Sequence, residues 1–398
     1  MSILILNKNA RSNSPYDLWL EDLNEKLVIL TTTEVAHQFQ NGKYEYVEAF
    51  DNYENNGNVE KRAIELNKLH NFKRVIATSE CDIVRAGRLR DAMGIEGQDL
   101  FSANSFRNKV LMKQLLKEGN VPVPNFLEVK TPLELLDFIS TNQYPVVIKP
   151  ISGSGSNGVT IINNDYELSE FLKIGISDCI EVEQFIDGDM YHVDGLVVNG
   201  QIVFSWPSKY INGCLSYRDG KYCGSTLLEV NNPLYKRLQQ FTKSVITALP
   251  SPSYTTFHVE TFYTPDDNLI LCEIASRSGG GRIRESLEHA FGININMLWV
   301  RSQCNLDIVI PDIQAPIAQT AFLIVPPKTG ILLELPESVP YDWVCDYFIS
   351  GVTGKKYEGA GSSVDNIAIM ILKGQSEIEV KERLGILFNW FTESCKWG

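Results

Sequence analysis

A chain of 398 residues, 44% hydrophobic and 21% charged, has a globular composition and is too long for one compact core, so we expect two or three domains. The net charge of −13 argues against a nucleic-acid-binding protein, for which a basic patch is expected. The eight cysteines include no Cys-x-x-Cys pair and no accompanying histidine cluster, which argues against a zinc site or disulfide framework and favours a reducing cytoplasm. We expect no membrane partner, because no apolar run suits a membrane span or signal peptide.

Residues 1 to about 100 predict a small Rossmann-like α/β domain in which strands alternate with helices. No dinucleotide-binding turn follows the first strand, because Asn7, Lys8 and Asn9 stand where glycines would be needed. The predicted elements are strands at Ile3–Leu6, Leu27–Leu30 and Arg74–Thr78 and helices at Val59–His70 and Asp82–Met93.

Ser79, Glu80 and Asp82 follow the last of these strands, at the edge where open α/β sheets bind ligands. That position makes them candidates for substrate contact. Helix capping is the simpler explanation for any one of them, because serine and acidic residues are favoured at helix starts.

The next feature is a helix predicted from Ser105 to Gly119, with Lys109 in its first turn. A cation there is disfavoured by the positive end of the helix dipole, and a bound anion would offset that cost. A solvent-exposed lysine is the alternative. A second helix is predicted over Thr131–Ser140, with Pro132 at its first position.

The most distinctive stretch, residues 145–158, joins two predicted strands through a loop of glycines and serines. Lys149 ends the first strand, and the glycines of Gly153–Gly158 let backbone N–H groups approach an anion while the serines add donors. The lysine precedes the glycines and Val159–Ile162 predicts a strand, which excludes a P-loop and a dinucleotide-binding turn. We predict a lid over nucleotide phosphates, although the loop alone also fits a surface hairpin.

After the lid, the pattern predicts a short helix, further strands and one long irregular segment. Residues 207–232 are polar and aromatic with no clear period, which is typical of a functional or mobile loop. The predicted elements are a helix at Asp165–Leu172, strands at Ile180–Ile186, Tyr191–Val198 and Gln201–Trp206, and a helix at Pro233–Leu249.

Two strands, Thr255–Tyr263 and Leu269–Ser276, are joined by a short turn and each carries a glutamate. If they pair symmetrically about the turn, Glu260 lies opposite Glu273. Like charges in that arrangement repel unless a cation lies between them, and two carboxylates completed by phosphate oxygens describe a Mg²⁺ site. His258 shares the face of Glu260, because alternate residues of a strand point the same way.

Arg277 and Arg282 enclose three glycines before a predicted helix at Ile283–Phe291, and this turn could grip an anion. A glycine-rich turn at the surface is the alternative. Beyond residue 310 we find no catalytic constellation. Strands are predicted there at Ile317–Val325, Gly330–Leu335 and Ile367–Leu372, with a closing helix at Val380–Trp390.

Taken in order, these pieces resemble the ATP-grasp superfamily. The pieces are the Lys109 helix, Lys149 in Val-Ile-Lys-Pro, the lid, the Glu181-Val-Glu-Gln-Phe-Ile-Asp-Gly hinge and the Glu260 and Glu273-Ile-Ala-Ser-Arg277 segments. The resemblance implies an α/β (α+β) ATP-grasp fold with a Rossmann-like domain at 1–100, a central lid subdomain at 101–190 and a C-terminal domain at 191–398. The run Met190–Gly195 and the glycines after Arg277 look most like the bacterial L-amino-acid ligases, which make dipeptides.

The resemblance also implies roles for individual residues. Both lysines would contact ATP phosphates, Glu260 and Glu273 would bind Mg²⁺ (or Mn²⁺), and Arg277 would steady an acyl phosphate. His258, or Glu260 when free of metal, could take a proton from the attacking amine. Residues assigned to ATP are Lys109, Lys149, Ser154, Gly155, Ser156, Glu181, Glu183, Gln184, Phe185, Ile186, His192 and Asp194, and those assigned to the amino-acid substrates are Glu80, Arg277, Gly280 and Gly281.

Two positions depart from the family pattern. Ala275 replaces a common metal-binding asparagine, so one Mg²⁺ would be less completely coordinated. Met190 stands where a ribose-binding glutamate is common, so we expect His192 or Asp194 to hold the ribose instead.

We therefore expect an ADP-forming ligase that joins two L-amino acids through an acyl phosphate, and the resemblance implies a homodimer. A carboxylase or purine-pathway enzyme acting on bicarbonate or formate is the alternative within the same fold. A non-catalytic ATP-binding module is the third, and the five charged residues Lys109, Lys149, Glu260, Glu273 and Arg277 count against it.

Overall fold

The computed structural model describes residues 2–176 and 179–398, which form three main β-sheets and one small one. The N-terminal sheet is parallel with strand order β3-β2-β1-β4, as the alternation of strands and helices predicts. Its elements are β1 Ser2–Asn7, α1 Tyr16–Trp19, β2 Lys26–Thr32, α2 Thr33–Ala36, β3 Tyr44–Phe50, α3 Asn58–His70, β4 Phe72–Ala77 and α4 Ile83–Met93.

The central sheet is antiparallel with order β5-β8-β6-β7, and it carries the predicted lid between β6 and β7. Thr131 caps α7 through a reciprocal pair of hydrogen bonds with Glu134, which explains the sharp start of that helix. The elements of this part are α5 Leu100–Ser105, α6 Lys109–Glu118, β5 Phe126–Val129, α7 Pro132–Asn142, β6 Val146–Pro150, β7 Thr160–Ile162, α8 Asp165–Ile174 and β8 Ile180–Gln184.

The largest sheet has eight strands in the order β13-β12-β9-β10-β11-β14-β18-β16, and its first three carry His192, Asp194, His258, Glu260 and Glu273. A small sheet has the strand order β17-β15-β19, and its strands alternate along the chain with the last strands of the large sheet. The elements are β9 Asp189–Val198, β10 Gln201–Ile211, β11 Cys223–Leu227, α9 Tyr235–Ala248, β12 Thr255–Tyr263, β13 Leu269–Ala275, α10 Ile283–Phe291, α11 Ile295–Gln303, β14 Gln319–Val325, β15 Thr329–Glu334, β16 Val344–Ile349, β17 Lys356–Glu358, β18 Ala368–Gly374, α12 Glu377–Ser394 and β19 Lys396–Trp397.

The N-terminal sheet is covered on both faces, which is why β1 is buried throughout. One face packs against α3 and α4, and the other packs against α1 and against Val300 of α11. Arg301 of α11 also pairs with Asp22 at 2.7 Å. The C-terminal part of the chain therefore covers the N-terminal sheet and fixes it beside the site. The three-domain division at residues 100 and 190 remains a prediction.

Two predictions about local structure were wrong. Residues 207–232 are not one long loop, because β10 continues to Ile211 and β11 spans Cys223–Leu227. Pro207 and the polar residues after it do not suggest a strand in the sequence. The end of β10 is nevertheless a strand, and β10 lies between β9 and β11 in the sheet. The helix predicted from Ser105 is broken at residues 106–108, where the Asn108 side chain caps α6.

Among the described residues, no helix combines the length and the hydropathy that a membrane span requires.

Candidate active site

A cavity of about 550 Å³ lies between the central sheet and the large sheet. The lid and the hinge after β8 form one side, and the β12–β13 hairpin with the loop after it forms the other. The predicted site residues that line it are Lys109, Lys149, Ser154, Gly155, Ser156, Glu183, Gln184, Phe185, Ile186, His258, Glu260, Glu273, Arg277, Gly280 and Gly281.

The predicted pairing of Glu260 with Glu273 is confirmed, but symmetry is not its cause. Tyr263 pairs with Leu269 and Thr261 with Leu271, so a regular ladder would place Cys272 opposite Glu260. The register shifts by one residue there, which leaves Cys272 as a bulge and brings Glu273 opposite Glu260. The bulge therefore brings the two carboxylates together.

The carboxylate of Glu273 is held in its charged form by lysines. The Nζ of Lys109 lies 3.0 Å from Glu273 Oε2 and also donates to the Gly153 carbonyl at 2.8 Å. Burial would raise the pKa of Glu273, but the charges of Lys109 and Lys149 outweigh it and lower the pKa to about 2.

Glu260 is held by neutral and imidazole donors rather than by lysine. Tyr210 Oη donates to Glu260 Oε1 at 2.7 Å, and His258 Nε2 lies 3.2 Å from the same oxygen. Glu260 Oε2 and Glu273 Oε1 have no hydrogen-bond partner among the described residues. Glu260 and Glu273 line the same cavity on paired strands, so the pair fits a divalent cation that phosphate and water oxygens would complete. Ala275 pairs with His258 and offers no side-chain oxygen.

The lid lies over the cavity with its backbone held from several sides. Gly155 and Ser156 have φ of 62° and 57°, a region that glycine adopts at little cost. The Ser363 N–H donates to the Gly155 carbonyl at 3.1 Å, and Arg218 donates to the Val159 carbonyl at 2.5 Å. Contacts between the lid and phosphates remain a prediction, which this placement allows.

The hinge after β8 offers a free backbone donor beside the cavity. The N–H groups of Gln184 and Phe185 donate to the carbonyls of Asn125 at 2.9 Å and Pro145 at 3.4 Å. In the part of the chain that the structure describes, the N–H of Ile186 has no such partner, and Ile186 lines the cavity. A ligand in the cavity could therefore accept a hydrogen bond from this N–H.

Glu181 and Glu183 are engaged by lysines from other elements. Lys149 lies 2.6 Å from Glu183, and Lys113 of α6 lies 2.6 Å from Glu181 and 2.5 Å from Glu183. At Glu183 the lysines outweigh burial and lower the pKa, whereas at Glu181 burial outweighs them and raises the pKa. Glu181 is fully buried and does not line the cavity, which argues against its assignment to ATP.

His192 and Asp194 are buried beside the cavity rather than in its wall, which argues against the ribose assignment. Asp194 accepts hydrogen bonds from His192 Nδ1 at 2.6 Å, His258 Nδ1 at 2.9 Å and the Gly279 N–H at 3.1 Å. The three side chains are close enough to hold a metal ion, but they already bond to one another. We interpret them as a structural cluster, which we call the Asp194 cluster.

His258 is poorly placed to act as a base. Asp194 and Glu260 each engage one of its nitrogens. Burial would lower the pKa of His258, but the two carboxylates raise it to about 10. Because a protonated imidazole cannot accept a proton, this geometry argues against the predicted catalytic role of His258.

Glu80 ties the N-terminal part of the chain to the site but does not line the cavity. Its two oxygens pair with Arg277 Nε and with Arg107. Burial would raise the pKa of Glu80, but the two arginines lower it. Glu80 therefore orients Arg277, and this pairing leaves less of its carboxylate for a substrate.

Ser79 and Asp82 neither line the cavity nor cap a helix with their side chains. Asp82 instead bonds to Arg85 at 2.9 Å and Tyr53 at 3.0 Å inside the N-terminal part, where burial raises its pKa to about 6. Ser79 and Asp82 therefore occupy N-cap positions without making the predicted capping bonds, and their place outside the cavity wall argues against substrate contact.

Sequence reasoning missed several residues in and around the site, and four of them bear on its chemistry. Lys113 lies four residues after Lys109 and so on the same face of α6, which was a readable signal. Tyr210 lies in the segment taken for a loop. Phe322 and Ile324 belong to a buried strand whose pattern indicates only a core, although both line the cavity.

Comparison with known proteins agrees with this geometry. The family model of the ATP-grasp domain matches residues 106–281. The L-arginine-specific L-amino acid ligase of Bacillus subtilis is 32% identical over 262 residues, which cover 62% of this chain and 60% of that protein.

Two solved structures share the overall fold. The L-amino acid ligase from Bacillus licheniformis has a TM-score of 0.79 at 16% identity. The match covers 100% of this chain and 99% of that protein's chain. The carboxyaminoimidazole ribonucleotide synthase from Aspergillus clavatus, solved with ATP, has a TM-score of 0.72 at 15% identity and 99% coverage of both chains. Residues 106–281 therefore match an ATP-grasp domain, and the chain as a whole shares its fold with these two solved proteins.

Proposed function

We propose that this protein is an ATP-dependent, ADP-forming ligase that joins two L-amino acids by a peptide bond. One observation carries the proposal. The Glu260–Glu273 pair, two lysines and Arg277 line a single cavity, opposite a hinge with a free backbone donor. The likeness to an L-amino acid ligase over 262 residues supports the substrate class.

ATP would lie between the hinge and the lid. The Ile186 N–H would donate to the adenine ring, and Lys109, Lys149 and the lid amides would neutralise the phosphates. Glu260 and Glu273 would hold Mg²⁺, which would supply positive charge to offset that of the outer phosphates. Such sites act by positioning and charge neutralisation, and no protein nucleophile is needed.

In the first step, an oxygen of one amino acid's carboxylate attacks the γ-phosphorus, and the bond to the β-phosphate oxygen breaks. The products are an acyl phosphate and ADP. Arg277, oriented by Glu80, would stabilise the negative charge of the acyl phosphate. In the second step, the neutral amine of the other amino acid attacks the acyl carbon and phosphate leaves. The nitrogen gives up one proton as the amide forms, and the departing phosphate can accept it. The lid would exclude water, which would otherwise hydrolyse the intermediate.

The walls near Arg277 favour an amino acid over a one-carbon substrate. Phe322, Ile324 and Ile283 form an apolar surface there, and Gly280 and Gly281 add no side chain to the space. Bicarbonate and formate need no apolar wall of this size. The fold alone also supports an enzyme of the carboxylase or purine-pathway class, because a carboxyaminoimidazole ribonucleotide synthase shares it.

Phosphate release from ATP with L-amino acids supplied singly, in pairs or replaced by bicarbonate separates the candidates. The proposal predicts release that depends on amino acids, together with a dipeptide detected by mass spectrometry. Release with bicarbonate alone would support the carboxylase class, and no release under any condition would support a non-catalytic ATP-binding module.

A further inference from the structure

Lys113 is the charged side chain in the centre of a buried network. It lies on α6, one turn after Lys109, and its side chain has no solvent exposure. Its Nζ donates to Glu181 Oε1 at 2.6 Å and to Glu183 Oε2 at 2.5 Å, and the Phe126 ring lies 5.5 Å from it. Lys113 does not line the cavity, so it contacts none of the ligands proposed above.

The network contains two lysines and two glutamates, so its charges balance. Lys149 also pairs with Glu183 at 2.6 Å and lies 3.7 Å from Glu181, and Lys149 lines the cavity. Without Lys113, two buried carboxylates would share Lys149 alone. A net negative charge would then stand beside the place where the anionic phosphates are expected, in a region of weak dielectric screening.

We propose that Lys113 is a positioning residue for nucleotide binding, which compensates Glu181 and Glu183 so that the charge of Lys149 remains available to the phosphates. The inference rests on the proposed function, because it requires ATP in this cavity. It assigns Lys113 an electrostatic role that differs from packing α6 against the sheet. Loss of packing would weaken binding of any adenine ligand, whereas loss of charge compensation would weaken binding of charged ligands selectively.

Calorimetric titration of the full-length protein with ATP and with adenosine tests this difference. We expect Lys113→Met to weaken ATP binding about tenfold and to change adenosine binding by less than about twofold, because adenosine carries no phosphate. Lys113→Arg should recover most of the ATP affinity. Lys117→Met is the matched control, since it removes an exposed lysine one turn further along α6, and it should change neither affinity.

A second comparison, between a single and a double variant at Glu181 and Lys113, covers the case in which Lys113→Met does not fold. Glu181→Gln alone leaves the network with a surplus positive charge, and Lys113→Met/Glu181→Gln restores balance. The single variant should bind ATP about tenfold more tightly than the double variant, with adenosine affinity equal in both. Circular dichroism and thermal melting establish that each protein is folded.

Equal ATP affinity of wild type and Lys113→Met would overturn the inference, as would parallel losses for ATP and adenosine. Equal ATP affinity of the single and double variants would overturn it as well. A wild-type protein that binds no ATP would instead defeat the proposed function and the inference with it.

Discussion

The Glu260–Glu273 pair and Asp194 lie on neighbouring strands of the same sheet, and they differ in whether their carboxylate oxygens have hydrogen-bond partners. Glu260 and Glu273 each keep one carboxylate oxygen without a partner among the described residues, and both line the cavity. Both oxygens of Asp194 accept hydrogen bonds, and its side chain is 1% exposed. In the sequence both groups look alike, as acids near histidines on strands. Unpaired carboxylate oxygens on residues that line a cavity distinguish a site for a ligand from a cluster that stabilises the fold.

Removal of a cavity carboxylate should have the largest effect on activity. Glu273→Ala should reduce turnover by about 10³-fold or more, because the metal ion that offsets the charge of the outer phosphates loses a carboxylate ligand. ATP-dependent dipeptide formation with saturating Mg²⁺ measures the loss. Glu288→Ala removes an exposed carboxylate on α10 and should leave turnover unchanged. Normal turnover by Glu273→Ala would show that the metal assignment is wrong.

The Asp194 cluster should respond in stability instead. Asp194→Asn should lower the free energy of unfolding by about 3 kcal/mol, because it removes the buried countercharge of His258 and a hydrogen-bond acceptor of His192. Denaturant unfolding measures this change. A variant with wild-type stability and greatly weakened ATP binding would restore the ribose role that the buried geometry argues against.

Two neighbouring glycines offer a matched test of how the cluster fixes the loop after Arg277. A Cβ on Gly279 would lie 2.7 Å from Asp194 Oδ1 and 2.8 Å from His258 Nδ1, so Gly279→Ala should cost about 2 kcal/mol of stability. A Cβ on Gly280 meets nothing within 4 Å, so Gly280→Ala should be neutral. Equal stability of the two variants in urea unfolding would contradict close packing of Gly279 against the Asp194 cluster.

The smallest expected effect is a change of substrate range at the cavity wall. Gly281→Trp should lose activity on amino acids with large side chains and retain activity on small ones, because the indole would fill space beside Ile324 and Phe322. Gly281→Ala is the control, since it shares the strain at φ of 64° without the bulk. Retained activity of the tryptophan variant on large substrates would count against a pocket here.

The same comparison explains how far the sequence could be interpreted. Glu260 and Glu273 could be predicted because facing carboxylates on paired strands repel, and Lys109 because a cation is disfavoured at a helix start. Lys149 could be predicted because it ends an apolar strand before a glycine-rich loop. The bulge at Cys272 could not be predicted, because it follows from packing between neighbouring strands. The burial of His192 and Asp194 depends on strands far apart in the chain, such as β11, which supplies Ser225 to His192 at 2.6 Å. Phe322 and Ile324 gave no signal, because an apolar strand indicates a core whether or not a cavity adjoins it.

The central claim is that an amino-acid carboxylate is activated by phosphoryl transfer. The most direct measurement uses amino acids labelled with ¹⁸O in the carboxylate and follows the label by mass spectrometry of the released phosphate. Because the attacking oxygen leaves with the phosphate when the amine displaces it, we expect one ¹⁸O atom in each phosphate released. Dipeptide formation with no ¹⁸O in the phosphate would contradict the acyl-phosphate mechanism.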